Sequence, residues 1–332
     1  MNGKIIHLYT CVFFIPLLVV AWKPCPATAK EVIVYTAVDQ LFSEPLLKRF
    51  EKQHHIRTKV VYDIEAVKGA GLVNRLIAER KIPRCDVFWN SEVLRTIMLQ
   101  RQHILASYIP LAARDIEEQF KDPKGFWTGF AGRIRVIAVN TKLVNPENYP
   151  VSIDDLMAGP WQGKIAMANP LFGTTAMFVA SLFSARGKTG GSNSLKALQK
   201  NNVRIVDGNA VVRDMVGAGS VAVGLTDMDD VVQGIKAGLP IKAIRPSGLA
   251  NGALLIPNTV ALVKGAPHPV EARELIEYLV SRSVEQDLIN TGFAQVVLRK
   301  NNRQIPTGPW NYDDMADNLS CALNSAQQLF VR

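Results

Sequence analysis

Residues 31–52 read EVIVYTAVDQLFSEPLLKRFEK, an apolar strand that runs directly into an amphipathic helix. We place the start of that helix at Ser43, a favourable N-cap residue, with Pro45 in the first turn. The same order returns in TKVVYDI (58–64) followed by GLVNRLIAERK (71–81), and a third, nearly all-apolar strand follows in CDVFW (85–89). Apolar strands that alternate with helices are typical of parallel sheets covered on both faces. The stretch therefore predicts a doubly wound α/β layer.

A second α/β series follows, so we expect two lobes. Its predicted strands are RIRVIAVNT (133–141), GKIAMAN (163–169), VRIV (203–206) and SVAVGL (220–225), and the segment at 173–186 is a helix that ends before a loop, GKTGGSNS (187–194). One lobe comprises 30–132 with 253–332, including the C-terminal helices, and the other comprises 133–252. The long segments at 133–141 and 253–264 are the candidates to cross between the lobes as a hinge, and ALLIPNTVALVKG (253–265) has the pattern of a strand pair.

Residues 1–29 have the features of a secretory signal peptide. Lys4 precedes the apolar run LYTCVFFIPLLVVAW, and ATA at 27–29 has the small-x-small form that signal peptidase requires. A retained N-terminal anchor and a lipidated Cys25 are the alternatives, although WKPC lacks the small residues that precede a lipidated cysteine. Cleavage at this point predicts a periplasmic protein.

The charge pattern argues against a nucleic-acid partner. The whole chain has a net charge of +9, and its basic residues are dispersed rather than clustered. After cleavage, two cysteines remain, Cys85 and Cys321. An oxidising compartment permits a disulfide between them, but the sequence leaves open whether they meet.

Polar side chains follow the predicted strands at their carboxyl ends, where open α/β sheets bind ligands. These candidate binding residues are Asp39, Ser91, Glu92, Gly173, Thr174, Thr175, Asn209, Asp227, Asp229 and Asp230. They are small, hydroxylated, amide or acidic, without a histidine or cysteine. Such a set favours holding a polar ligand over attacking it.

The aspartates, the FGTT segment and a pair of arginines, Arg133 and Arg135, each have a binding interpretation and a purely structural one. The aspartates of TDMDD suit the first turn of a helix, and Thr174 of FGTT suits an N-cap, although the same backbone N–H groups make an anion site. Arg133 and Arg135 lie two apart on a predicted strand and so share a face. They either balance a ligand anion or lie on a solvated face.

Motifs of the common enzyme classes are missing from the sequence. GKT at 187–189 lacks the first glycine of a P-loop, and neither a G-x-S-x-G elbow nor an H-E-x-x-H motif occurs. We therefore expect no catalytic activity. A metal-assisted hydrolase that uses the aspartate cluster is the enzymatic alternative.

The chain resembles the periplasmic ferric-iron-binding family of ABC importers, a branch of the type II solute-binding proteins. The blocks that carry the resemblance include VYTAVDQLFSEPLLKRFEK, GRIRVIAVNTKLV, WQGKIAMANPLFGTT and VDGNAVVRDMVGAGSVAVGLTD, in family order. The resemblance implies two α/β lobes joined by crossing strands, which close on a ligand and deliver it to an inner-membrane permease. It also implies a monomer without a cofactor, in which any Fe³⁺ is the transported ligand.

The sequence departs from this family at the ligand. Asp229 and Asp230 stand where iron-binding members have a pair of tyrosines, Asp39 stands at a frequent histidine, and Ser91 or Glu92 matches a glutamate. A metal ligand would thus be held by Asp39, Glu92, Asp229 and Asp230, whose carboxylates suit hard cations. Relatives of this fold also bind sugar phosphates, phosphonates and organic cations. For these, FGTT with Arg135 suits a phosphate, and the aspartates suit hydroxyl or ammonium groups. A sensory module with the same fold is a further alternative.

Overall fold

The computed structural model describes residues 30–63, 70–247, 252–300 and 310–330. The proposed signal peptide lies outside the described residues. The strands are β1 (Glu31–Thr36), β2 (Arg57–Tyr62), β3 (Val87–Asn90), β4 (Leu105–Ala106), β5 (Thr128–Asn140), β6 (Ile165–Ala168), β7 (Arg204–Val206), β8 (Val223–Asp227), β9 (Ile241–Ile244) and β10 (Leu255–Val263). The helices are α1 (Gln40–His54), α2 (Ala70–Ala78), α3 (Leu94–Arg101), α4 (Gly173–Lys200), α5 (Asn209–Gly217), α6 (Met228–Lys236), α7 (Pro269–Leu279), α8 (Arg282–Thr291) and α9 (Tyr312–Phe330).

The strands form two groups that β5 joins. In the first group, β1 pairs in parallel with β2 and β3, and β10 is antiparallel to β3 and β5. In the second group, β8 lies antiparallel to β5 and parallel to β6, and β6 continues to β7. The sheet order is therefore β2-β1-β3-β10-β5-β8-β6-β7. The predicted α/β class is confirmed.

Strand β5 changes partners part-way along its length. Ile134 is paired with Leu255 of β10, whereas the next residue, Arg135, is paired with Asp227 of β8. Every one of its 13 residues is buried, because the strand is covered on both faces in each group. β5 thus has the position expected of a crossing strand. The exact division into lobes at residues 133 and 252 stays a prediction.

Helix α9 contacts elements on both sides of that predicted boundary. It packs against α4 and α3. Arg101 of α3 donates to Asp317 at 2.7 Å, and Gln199 of α4 donates to the backbone oxygen of Leu329 at 2.6 Å. The C-terminal helix therefore ties α3 to α4.

Several local predictions were wrong. The first helix begins at Gln40 with Asp39 at the N-cap position, and Ser43 instead donates to the Asp39 backbone oxygen within the helix. The predicted helix end after Arg186 coincides with a break, because Gly187 takes the non-helical angles φ 68° and ψ 172°, but the predicted loop is wrong, since the chain is helical again beyond this kink in α4. Residues 255–263 form a single strand rather than a strand pair. Cys85 and Cys321, whose pairing the sequence leaves open, are both free thiols.

Candidate functional site

A cavity of about 130 Å³ lies where the carboxyl ends of strands from both groups converge. Asp39 follows β1 and Ser91 follows β3, both in the first group. The other walls come from the starts of α4, α5 and α6, which follow β6, β7 and β8. The residues that line the cavity are Asp39, Ser91, Arg133, Ala168, Asn169, Phe172, Gly173, Thr174, Thr175, Asp207, Gly208, Asn209, Ala210, Asp229 and Asp230.

Asp227 lies behind this wall and organises it. Its Oδ2 accepts hydrogen bonds from Thr174 Oγ1 at 2.6 Å and from Asn209 Nδ2 at 3.0 Å, and its Oδ1 accepts from Arg135 Nη1 at 2.9 Å. Burial raises the pKa of this fully buried carboxyl, but the charges of Arg135 and Arg133 outweigh burial and hold the pKa below its ordinary value. Asp227 therefore remains charged and fixes the starts of α4 and α5 relative to β8.

Arg135 has a structural position rather than a place in the cavity wall. Its side chain is 1% exposed, and it donates to Thr175 Oγ1 at 3.1 Å and to the Leu225 backbone oxygen at 3.0 Å, in addition to Asp227. A buried guanidinium needs such a set of acceptors, because an unpaired buried charge is costly. Among the predicted binding residues, Arg135 and Asp227 thus support the wall from behind.

Arg133 lines the cavity, as the first of the two alternatives for the Arg133 and Arg135 face requires. Its Nη1 lies 3.4 Å from Asp227 Oδ2 and 3.4 Å from Asp229 Oδ2, and its Nη2 donates to the Ser91 backbone oxygen at 2.7 Å. Burial lowers the pKa of this guanidinium, but the surrounding aspartates outweigh burial and raise it above its ordinary value. The strand face that it shares with Arg135 was the signal in the sequence.

Asp229 and Asp230 form the acidic wall in the first turn of α6. One carboxylate oxygen from each of Asp227, Asp229 and Asp230 lies within 4.8 Å of the other two. Burial and the charges of Asp229 and Asp227 raise the pKa of Asp230 well above its ordinary value, although Thr226 Oγ1 donates to it at 2.9 Å. The cavity is therefore lined by closely spaced carboxyl groups on this side.

Two helix N-termini form another part of the cavity wall. Neither Phe172, at the N-cap of α4, nor Gly208, at the N-cap of α5, supplies a side-chain capping bond. The first residues of both helices line the cavity, including Gly173, Thr174 and Asn209. Uncapped N–H groups and the helix dipole favour an anion at this place.

Glu92 does not line the cavity. Its Oε2 accepts from the Leu94 backbone N at 2.6 Å, and its Oε1 accepts from the Arg95 backbone N at 3.1 Å, so it caps the start of α3. Burial raises its pKa above the ordinary value, against the lowering effect of Arg95. The described structure thus brings together Asp39, Asp229 and Asp230 of the proposed metal set, but not Glu92.

The chain matches known families and structures over most of its length. The family model for bacterial extracellular solute-binding proteins matches residues 86–315. The chain belongs to this family. This match confirms the resemblance inferred from the sequence, and the function of the family is solute binding.

One relative and two solved structures show which known proteins this chain is similar to. The relative, from Salmonella paratyphi A, has a name that marks it as a candidate 2-aminoethylphosphonate-binding periplasmic protein; it is 25% identical over 279 residues, which is 81% of this chain and 80% of the relative. Iron-bound HitA from Pseudomonas aeruginosa has a TM-score of 0.82 at 20% identity, with 91% of this chain and all of that chain covered.

The second structure is AfuA from Actinobacillus pleuropneumoniae with fructose-6-phosphate bound, which has a TM-score of 0.79 at 18% identity over 90% of this chain and 98% of that chain. Both structures are periplasmic-binding-protein folds, and they confirm the predicted two-lobed class. Within the described ranges, no helix has the length and apolarity needed to cross a membrane.

Proposed function

We propose that this protein is the exported, periplasmic solute-binding component of an ABC importer. Its solute is a small zwitterion that carries a phosphonate or phosphate group and an ammonium group. The two lobes enclose this solute at the cavity between Asp39 and the starts of α4, α5 and α6, deliver it to an inner-membrane permease, and perform no catalysis. The predicted division into lobes, at 133 and 252, is part of this proposal.

The two kinds of polar group that line the cavity support the proposal. Uncapped helix N-termini at Gly173 and Asn209 suit a tetrahedral oxyanion, and the carboxyl groups of Asp229 and Asp230, in the same cavity, suit an amine. The cavity, of about 130 Å³, suits a small solute. The name of the Salmonella relative supports the same chemical class.

Ferric iron is the second candidate solute. The observation that favours it is the cluster of carboxylate oxygens from Asp227, Asp229 and Asp230, which are hard ligands. Against it, Arg133 already lies between two of these carboxylates. A trivalent cation at that place would lie beside a guanidinium.

The test is a set of thermal melts of ligand-stripped protein that begins at residue 30. The probes are 2-aminoethylphosphonate, ethylphosphonate, ethanolamine and ferric citrate, each in a separate run. At 100 times its dissociation constant a ligand stabilises the folded state by about 2.7 kcal/mol, which raises Tm by several degrees. We expect a large rise with 2-aminoethylphosphonate and a much smaller rise with either half-molecule.

Asp229→Asn tests the binding of the ammonium group separately from the binding of the phosphonate group. This variant should lose most of the response to 2-aminoethylphosphonate and keep the weak response to ethylphosphonate. Asp214→Asn, a substitution of an exposed aspartate elsewhere in the predicted lobe of residues 133–252, is the matched control. A rise with ferric citrate alone would overturn the zwitterion and favour iron. Equal rises in Tm with ethylphosphonate and 2-aminoethylphosphonate would contradict the proposal that Asp229 and Asp230 bind the ammonium group.

A further inference from the structure

The guanidinium of Arg133 lies inside the acidic cluster, in the manner of a bound cation. Its Nη1 is 3.4 Å from Asp227 Oδ2 and equally 3.4 Å from Asp229 Oδ2. Its side chain is only 6% exposed, and its Cζ lies 5.1 Å from the ring centroid of Phe293, so it is held in place by packing as well as by charge. Because both Asp227 and Asp229 act on the same Nη1, this guanidinium compensates both carboxylates at once.

Without Arg133, the same carboxylates have the spacing of a cation site. Oxygens of Asp227, Asp229 and Asp230 lie within 4.8 Å of one another. Ca²⁺ binds oxygen at about 2.3–2.6 Å, so one ion can contact atoms up to about 5 Å apart. Such an ion would take the place between Asp227 and Asp229 that the Arg133 guanidinium occupies.

Arg133 also connects the acidic cluster to the other side of the cavity. Its Nη2 donates to the Ser91 backbone oxygen at 2.7 Å, in the segment after β3, while its Nη1 faces the segment after β8. The side chain thus spans the two groups of strands without an added solute. A role limited to holding these segments together predicts a loss of stability on substitution, but not a new binding activity.

We propose that Arg133 is the specificity-determining residue of the cavity. Its guanidinium takes the place of a metal ion among Asp227, Asp229 and Asp230, and so restricts the site to solutes whose cationic group shares the aspartates with it. This inference rests on the proposed solute site, but it makes a separate statement. Removing the positive charge of Arg133 converts the site to one that binds divalent metal ions.

The test is a gain of metal binding in Arg133→Gln and Arg133→Met. Both variants remove the charge; glutamine retains a hydrogen-bond donor for Ser91, and methionine retains packing on Phe293. Calorimetric titration with Mn²⁺ and with Ca²⁺, at low ionic strength, should show binding at least ten times tighter than in the unsubstituted protein. Arg133→Lys keeps the charge and should behave like the unsubstituted protein.

A second substitution locates the gained site. Asp229→Asn in the Arg133→Gln background should abolish the gain, whereas Asp214→Asn in that background should leave it unchanged. The proposal is overturned if folded Arg133→Gln and Arg133→Met bind Mn²⁺ and Ca²⁺ no more tightly than the unsubstituted protein, or if Arg133→Lys gains equally. Tight Mn²⁺ binding by the unsubstituted protein overturns it without any variant.

Failure of the proposed function is a distinct result. The zwitterion is tested by the response of the unsubstituted protein to 2-aminoethylphosphonate, and the role of Arg133 is tested by metal ions in the variants. Either outcome can occur without the other. A gain of metal binding together with no response to 2-aminoethylphosphonate would keep Arg133 as the determinant and require a different organic solute.

Discussion

Asp227 and Asp230 lie three positions apart, yet their surroundings shift their pKa values in opposite directions. Asp227 is buried against Arg135 and Arg133, and its pKa is below the ordinary value despite burial. Asp230 is half-buried beside Asp229 and Asp227, and its pKa is well above the ordinary value. The surroundings of Asp227 therefore stabilise its charged form, whereas those of Asp230 disfavour it.

The raised pKa of Asp230 predicts that Asp230→Asn stabilises the solute-free protein at neutral pH. The folded pKa lies above the unfolded one, so the charged carboxylate lowers the free energy of unfolding at high pH. This cost disappears as pH falls through the folded pKa towards the unfolded value of about 4. Melting curves from pH 4 to pH 8 should show a higher Tm for Asp230→Asn at pH 8 and a difference that shrinks towards pH 4.

Asp214→Asn is the control for this change, since Asp214 is exposed and pairs with Arg213. It should give no comparable rise in Tm at pH 8. A lower Tm for Asp230→Asn at pH 8 would show that the Thr226 hydrogen bond to Asp230 outweighs the repulsion among the aspartates.

The rule that ligands bind at strand ends predicted much of the site from the sequence. It identified Asp39, Ser91 and the residues of α4, α5 and α6 that line the cavity. It could not predict that Glu92 turns back to cap α3, because that depends on which backbone N–H groups the chain presents after β3. Nor could it pair Arg133 with Asp227, which is 94 positions away and meets it only through the antiparallel register of β5 and β8.

At the scale of elements, β5 contains a local irregularity before it changes partners. Ala131 takes φ 51°, in the left-handed region that non-glycine residues rarely adopt. Its backbone N donates to Glu285 Oε1 at 3.0 Å, and its backbone oxygen accepts from Asn258. The register with β10 shifts between Ile256 and Asn258, opposite this point. The irregularity has the form of a bulge that is fixed by buried side chains.

Ala131→Gly should stabilise the protein, because glycine adopts a positive φ without strain. The expected gain in the free energy of unfolding is about 1 kcal/mol. The matched control is Ala138→Gly in the same strand, where regular pairing makes glycine destabilising by roughly 0.5–1 kcal/mol. Urea unfolding of both variants checks the opposite signs, and a loss of stability in Ala131→Gly would contradict strain at this residue.

Periodicity predicted most of the elements, and the errors share a cause. The kink in α4 depends on the backbone angles of Gly187, which the sequence GKTGG does not specify. The apolar pattern of PVEARELIEYLVSRSVEQDLI (269–289) predicts one continuous helix, whereas the structure divides it into α7 and α8. Ser281 marks the division, since it caps α8 by accepting from the Val284 backbone N. Tertiary packing, rather than local propensity, decided these boundaries.

At the scale of the molecule, a buried arginine links the two groups of strands beside the cavity. Arg95 of α3 is 5% exposed, and its Nη2 donates to the Leu171 backbone oxygen at 2.6 Å, just before the start of α4. Glu92 lies 3.9 Å from its Nη1. This hydrogen bond joins the segments that we propose close on the solute.

Arg95→Ala should favour the open arrangement of the proposed lobes. The substitution removes the bond to Leu171 and leaves the buried Glu92 without its cation, so we expect solute binding about ten times weaker and a larger radius of gyration without solute. Small-angle scattering and calorimetry with 2-aminoethylphosphonate measure the two effects. Arg114→Ala, at an exposed arginine outside α3, is the control; equal effects in both variants would contradict a specific role for Arg95.

The position of β10 between β3 and β5 also determines the order in which the chain can fold. Asn90 of β3 is paired with Thr259 of β10, 169 residues later, so the first group of strands is incomplete until nearly 80% of the polypeptide is available. The second group consists of strands that are consecutive in the chain, β5, β6, β7, β8 and β9, so their pairing does not require the C-terminal part of the polypeptide. Contacts between such distant residues make folding slow, because the loop must close before the contact stabilises it. We therefore expect the middle of the polypeptide to acquire structure first, and the two ends to be joined last by a single late strand.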